Sequence, residues 1–358
     1  MKKQKKKKVR LKIHKIIIFI FLLDILCIGG MFFCYSDKID NFFITTAMTT
    51  KSHKYLAYAL YGKKRVEKVL ASNYIEEVDE TMNLDDVVID TNNIFNKKYT
   101  NKYEKELFTK DEGNDVYKII RLDKGYSYKG YLTAVYDPAD IDLAVTDYLG
   151  TVGESCNDFV TKHNGLLAIN GGGFRDVDGW GNGSIPKGTI IQDSKIVWTH
   201  SSGKGELIGF TRDNKLYLTS DAPEKAIKDG MRDAVEFGPY LIVNGKAMTV
   251  HGDGGWGIAP RTAIGQRKDG VVLLVVIEGR LPGYSYGASM KDLIELFQKY
   301  GAYNAANLDG GASSTMSVNG TLWNRPSAGG EYGGRTVSNA WLVTNKQNKR
   351  AKVPTKED

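Results

Sequence analysis

An acid, two glycines and three hydroxyl residues stand together in NLDGGASST, Asn307 to Thr315. Asp309 follows an apolar run, so it is expected at the end of a buried strand, next to residues with little side-chain bulk. Backbone N–H groups of Gly310 and Gly311 can approach an anion closely. Read alone, the stretch is also a tight turn in which Asp309 caps its own backbone. Three more segments end in the same way. Glu278 closes VVLLVVI (Val271–Ile277), Arg261 opens RTAIGQ, and Asn170 closes GLLAIN before three glycines and Phe174. Carboxylates act as acid, base or nucleophile at an anomeric carbon, and a guanidinium grips phosphate bidentately. Phe174 or Trp180 is placed to cover the apolar face of a sugar. Together these residues read as a site for a sugar and an anion. An Arg261–Glu278 ion pair among turn glycines, with no chemistry, is the alternative.

Four elements must bring these residues together. VVLLVVI is a near-continuous apolar strand, buried on both faces. Lys268-Asp269-Gly270 reads as a hairpin turn, which sets residues 259–262 opposite 276–279 and Arg261 beside Glu278. A helix over Ser289–Tyr300 carries a Ser289/Asp292 capping pair, an apolar face of Met290, Leu293, Ile294 and Phe297, and Gly301 as its stop. A second apolar run then leads to Asp309. Strand–helix–strand units are almost always parallel right-handed crossovers, so Glu278 and Asp309 are expected at the carboxyl edge of neighbouring or near-neighbouring strands, where ligands bind in open sheets. Around this unit run many short β-type segments, two of them holding Val-Asn-Gly hairpin signals at Val243–Gly245 and Val318–Gly320. Thr151–His163 is a second candidate helix. The fold expected is mixed α/β (α+β): one sheet-rich catalytic domain with few helices, preceded by a transmembrane helix and stalk, and without the regular alternation of a doubly wound fold.

Charge narrows the function classes. Nine of the 49 basic residues fall in residues 1–15, leaving 40 against 42 acidic ones. The remainder has no basic excess with which to track nucleic-acid phosphates. The basic tail (1–15) instead precedes nineteen mostly apolar residues, Ile16–Cys34, the length of a membrane-spanning helix. Lysine-rich flanks stay in the cytoplasm, so a signal anchor at 16–34 is expected to put the rest outside. Asp24 lies mid-span, where an acid is costly, and a cleaved signal peptide is the rival reading. Residues 35–114 read as a stalk with one amphipathic helix over Lys54–Leu70, 115–345 as the catalytic domain, and 346–358 as a polar tail. Cys156 is the one cysteine beyond the apolar segment, so neither an intrachain disulfide nor a cysteine zinc site is available there. HGDGGWG (His251–Gly257) is either a lid or a loop without ligand contact, and His251 with Asp253 is too few ligands for a metal. No dinucleotide fingerprint or GxSxG elbow occurs, so Ser313 and Ser314 read as hydrogen-bond donors.

NGGGF, PRTAIG, VVIEGR, NLDGGASSTM and RTVSNAWLV, in this order over roughly residues 115–345, resemble the phosphodiester glycosidase family. The anchor and Thr45–Gly62 are similar to membrane-anchored Gram-positive members associated with exopolysaccharide. The resemblance implies an extracellular, single-pass membrane glycosidase hydrolysing or transferring the C1–O bond of sugar-1-phosphodiesters in surface polysaccharide. It implies no nucleic-acid partner and no cofactor, a divalent cation such as Ca2+ being compatible. Asp309, Glu278 and Arg261 are then catalytic: one carboxylate works at C1 and the arginine holds the departing phosphate. Asn170, Gly171, Phe174, Arg280, Asn307, Gly310, Gly311, Ser313 and Thr315 contact substrate. Three positions depart from the usual pattern: Glu278 where Asp is common, Ala312 for a frequent glycine, and Gly173 where an aromatic often precedes Phe174. The alternatives are a non-catalytic glycan-binding module and a phosphodiesterase cleaving P–O.

Overall fold

The computed structural model describes residues 2–50, 53–78, 81–91, 94–96, 98–175, 181–200, 205–329 and 334–356, with the backbone alone for 2–15, 31–36 and 38. The chain forms two compact units, Met1–Ala71 and Ser72–Asp358. The first holds a helix over Lys2–Met48 and a second over Lys54–Ser72, interrupted at Gly62. Ile44, Ala57, Val66 and Val69 form its small core, and Arg65 pairs with Asp37 and Asp40. Among the described residues no helix is long and apolar enough to cross a membrane. The expected span over Ile16–Cys34 runs into residues 31–36, whose side chains lie outside the description; the large apolar side chains from Ile16 to Ile28 are all exposed.

The second unit is built on sheets. Its largest has seven strands, in spatial order Lys246–Ala247, Tyr240–Val243, Ala302–Leu308, Arg261–Arg267, Val272–Glu278, Lys129–Val135 and Tyr117–Asp123. Two five-stranded sheets accompany it. One contains Leu167–Asn170 between Met316–Val318 and Asn339–Val343, and the other contains Leu207–Thr211 and Met231–Glu236. Every residue of Arg261–Arg267, Val272–Glu278 and Ala302–Leu308 is buried, which explains the unbroken apolar run Val272–Ile277. Both Val-Asn-Gly segments are two-residue hairpin turns with positive φ at Asn244, Gly245, Asn319 and Gly320.

The strand–helix–strand unit has one feature that periodicity does not reveal. Val272–Glu278 and Ala302–Leu308 are each antiparallel to Arg261–Arg267, which lies between them. The two therefore run parallel to one another across an inserted strand, and their carboxyl ends meet the amino end of that strand at one edge. The connecting helix, Met290–Lys299, has the Ser289/Asp292 capping box. It lies over the sheet at Gly265, where a Cβ would stand 2.7 Å from the Phe297 ring.

The second compact unit begins at Ser72, ahead of the expected start at 115, and the chain from there wraps onto the sheets. Tyr74–Glu76 pairs with Thr249–His251, Ile94, Leu107 and Phe108 enter the main core, and Glu104 pairs with the buried Arg267. The expected polar tail likewise packs on the unit: Asp115 N donates to Arg350 O, and Lys349 pairs with Asp137. Alternating polar residues hid a wrapping segment whose few apolar anchors are widely spaced. Leu107→Ala in the full chain is expected to lower stability by about 3 kcal/mol, the scale for a buried leucine. A denaturant midpoint within about 0.5 kcal/mol of wild type would show that the segment is only loosely attached.

Candidate functional site

The candidate edge of the seven-stranded sheet is where three strand ends meet. Arg261 begins the middle strand, Glu278 ends one neighbour, and Leu308 ends the other just before Asp309. Arg261 lies directly opposite Ile277, and Thr262 opposite Leu308. Opposed residues share a face and successive residues alternate, so Arg261 and Glu278 leave the shared edge on opposite faces. The expected Arg261–Glu278 pairing is thereby corrected: a one-residue offset in register separates the two groups.

Asn170 binds this edge to the second sheet. It ends the Leu167–Asn170 strand with no solvent exposure. Its Oδ1 accepts from the Thr262 hydroxyl at 2.7 Å and from Thr315 N at 3.1 Å, while its Nδ2 donates to Asp309 O at 2.6 Å. Asp309 N donates to Gly171 O at 3.1 Å, so the main chain of Asp309 is held on both sides. Gly171 has no room for a side chain, since a Cβ there would lie 2.2 Å from Asn339 Oδ1. Asp309 itself is half-buried, and its carboxyl carbon lies 3.9 Å from where a Cβ on Gly173 would stand.

The two arginines have different jobs. Arg261 is buried, and its Nε donates to Ala288 O at 2.9 Å while Nη2 donates to Trp256 O and Gly257 O, both at 2.6 Å. Burial, and then the nearby Arg280, pulls its pKa down to about 9. Its Nε and Nη2 are thus engaged by three backbone carbonyls, fixing two loops, while Nη1 makes no hydrogen bond among the described residues. Arg280, by contrast, is exposed, on a left-handed backbone (φ 58), and its guanidinium lies 3.3–3.4 Å from where a Cβ on Gly311 would stand. Among the described residues the Arg280 guanidinium has no acidic partner.

Glu278 is only 1% exposed; Oε1 accepts from Arg325 N at 2.6 Å, and Oε2 has no partner among the described residues. Burial, followed by this carboxylate, pushes Tyr284 up to about 12. Tyr131 is likewise raised, by burial first and Glu278 second. The Glu278 carboxylate therefore belongs with Tyr131, Tyr284 and Arg325.

Several other expected contact residues prove internal. Phe174 is buried among Cys156, Phe159 and Val337, with the Arg335 guanidinium 4.7 Å over its ring, so it offers no open face. Thr315 and Ser313 are buried; Thr315 acts through its N–H on Asn170. Asn307 ties down the neighbouring turn, donating to Gly238 O from Nδ2 at 2.9 Å and to Pro239 O from its backbone at 3.0 Å. Gly311 N is used within the fold, on Pro260 O, while Gly310 N has no internal acceptor among the described residues. Trp180 lies outside the described residues. The His251–Gly257 loop is tethered: Asp253 N donates to Asn73 Oδ1, and His251 stacks on Tyr74 and pairs with Glu76. Among the described residues no group of three or more metal-ligating side chains occurs.

Two aromatic residues at the edge lie outside the candidate site residues. Phe237 and Trp256 are both half-buried, with ring centroids 6.2 Å apart, and a Cβ on Gly173 would stand 2.8 Å from Phe237 and 3.9 Å from the Asp309 carboxyl carbon. The signal available in the sequence was an aromatic residue beside glycine in EFGP and in GGWG.

Comparison with known proteins shows the family. The sequence model of the phosphodiester glycosidase family matches residues 163–344, just over half of the chain. The chain belongs to the phosphodiester glycosidase family. It is 29% identical over 208 residues to the SPbeta prophage-derived uncharacterized protein YomE of Bacillus subtilis, covering 55% of this chain and 31% of that protein. It is 25% identical over 228 residues to the N-acetylglucosamine-1-phosphodiester alpha-N-acetylglucosaminidase of Mus musculus, covering 57% of this chain and 42% of that one. The chain therefore spans less than half the length of either relative. The fold is similar to that of the catalytic domain of the zebrafish N-acetylglucosamine-1-phosphodiester alpha-N-acetylglucosaminidase, auto-inhibited by its pro-peptide, with a TM-score of 0.51 at 21% identity over 64% of this chain and 82% of that one. The family match spans Asn170, Arg261, Arg280 and Asp309 alike.

Replacing Asn170 tests the junction. Asn170→Ala removes three hydrogen bonds and strands their partners, at about 1 kcal/mol each. A loss of about 3 kcal/mol or more is expected in denaturant unfolding. A loss below about 1 kcal/mol would show that the two sheets hold Asp309 without the amide.

Proposed function

We propose that the protein is a glycosidase that hydrolyses, or transfers from, the C1–O bond of sugar-1-phosphodiesters, with Asp309 acting at C1 and Arg280 receiving the phosphate. The observation that carries this reading is the order Asp309, Gly310, Gly311, with the Arg280 guanidinium lying against the last of these. Asp309 and Gly311 are two residues apart, at most about 7 Å of chain, close enough for one sugar phosphate to reach both the carboxylate and the guanidinium beside Gly311. Gly310 N, with no internal acceptor among the described residues, is available to the same anion.

A phosphate leaves without much protonation, so the site must supply a base or nucleophile and positive charge. Asp309 serves the first need. A guanidinium without a counter-acid serves the second, because it gains most as charge develops on the departing oxygen. Arg261 is assigned to holding the loops at Trp256 and Ala288 rather than to holding phosphate, and Glu278 to the loop at Arg325. The proposed substrate is a glycan of the cell surface. The proposed location is outside the membrane, supported by nine basic residues ahead of the apolar segment at Ile16–Cys34. Protease added to intact cells is expected to remove the domain; a domain protected until lysis would reverse the orientation.

Turnover of a sugar-1-phosphodiester against that of an aryl glycoside tests the division of labour. Asp309→Asn is expected to lower kcat for both by about 10³-fold. Arg280→Ala should lower the phosphodiester rate by about 10²-fold and spare the aryl glycoside, with Arg280→Lys intermediate because it keeps charge but loses the planar fork. Arg261→Ala should depress both substrates alike. A phosphate-selective loss at Arg261 with none at Arg280 would sink the assignment.

A further inference from the structure

We infer that the Phe237–Trp256 pair is the platform on which the sugar ring of the substrate rests, and that it sets sugar specificity; the inference builds on the reaction proposed above. Three observations converge on one small volume. A Cβ placed on Gly173 would stand 2.8 Å from Phe237 Cε2 and 3.9 Å from the Asp309 carboxyl carbon, so this ring and this carboxylate border the same space. Trp256 extends the apolar wall, its ring tilted at 52° and 6.2 Å away by centroid, and both rings keep part of their surface in solvent. The order along the edge is then aromatic pair, Asp309, Gly311, Arg280. This matches the order of a pyranose C–H face, its anomeric carbon and its phosphate.

The fold spends several contacts on these two rings. Asn307 clamps the turn after Phe237 through Gly238 O and Pro239 O. The carbonyl of Trp256 itself accepts from the buried Arg261, and Asn73 holds the same loop at Asp253 N. A Cβ on Gly252 would stand 2.0 Å from Asn73 Oδ1, so loop and tether fit without slack. Partly exposed aromatic rings held this firmly present an apolar face at little entropic cost on binding. Pockets of this kind take orientation from few polar groups and area from aromatic ones.

Binding to the full chain separates the platform from the anion site, with inorganic phosphate and a panel of aldose-1-phosphates as probes. Wild type should bind at least one aldose-1-phosphate about tenfold more tightly than inorganic phosphate, since a stacked ring contributes on that scale. Trp256→Ala keeps the main-chain carbonyl that Arg261 needs. It should abolish this preference, leave phosphate affinity unchanged, and be rescued by Trp256→Phe. Gly173→Ala, whose methyl would press on Phe237, should weaken the sugar phosphate alone. If the preference survives in Trp256→Ala and Gly173→Ala, the platform is overturned while the reaction proposed above stands. If wild type binds neither probe, both are overturned.

Discussion

The site depends on a single buried carboxamide. Asn170 closes a strand of one sheet, yet all its polar atoms serve residues of other segments: Thr262 at the edge of the large sheet, Thr315 beyond the glycine loop, and the carbonyl of Asp309. An amide presents donor and acceptor ends in fixed geometry, and here both ends are used and shielded from water. Buried polar networks of this kind rigidify when satisfied. Asp309 is therefore held by its main chain, which leaves its carboxylate to face the space beside Gly173 and Phe237.

Burial also decides what the charged groups can do. Three of the five N–H donors of the Arg261 guanidinium are bonded to main-chain carbonyls, and desolvation weighs against its charge. Arg261 is thus part of the frame: it draws the Trp256 loop and the residues before the Met290–Lys299 helix onto the sheet edge. Arg280 is an exposed residue whose guanidinium, its pKa lowered by partial burial, lies beside a glycine, where an anion can reach it. The same contrast separates the two acids, Glu278 being enclosed with Tyr284 and the Arg325 backbone while Asp309 is half-buried.

Much of this was legible in the residues, for stated reasons. Unbroken apolar runs marked the buried strands, Lys268-Asp269-Gly270 fixed the hairpin, and the Ser289/Asp292 box fixed the helix start. These together place Arg261, Glu278 and Asp309 at one edge. Two things were not legible. The first is register at single-residue precision: Arg261 opposes Ile277 rather than Glu278, and in a strand one residue exchanges faces. The second is tertiary contact without periodicity. Phe237 and Trp256 sit in glycine-rich loops, and the segment 72–114 attaches through a few scattered anchors, so neither leaves a repeating pattern. Phe174 shows the converse, an aromatic beside a glycine run that the fold uses as core.

The account stands or falls on which bond breaks. A carboxylate at the anomeric carbon, with the arginine reserved for the leaving phosphate, implies cleavage between carbon and oxygen. Hydrolysis of a sugar-1-phosphodiester by the full chain in oxygen-18 water, read by mass spectrometry of both products, measures this directly. The label is expected in the released sugar and not in the phosphate. Label in the phosphate would mean attack at phosphorus, and would contradict the role given to Asp309.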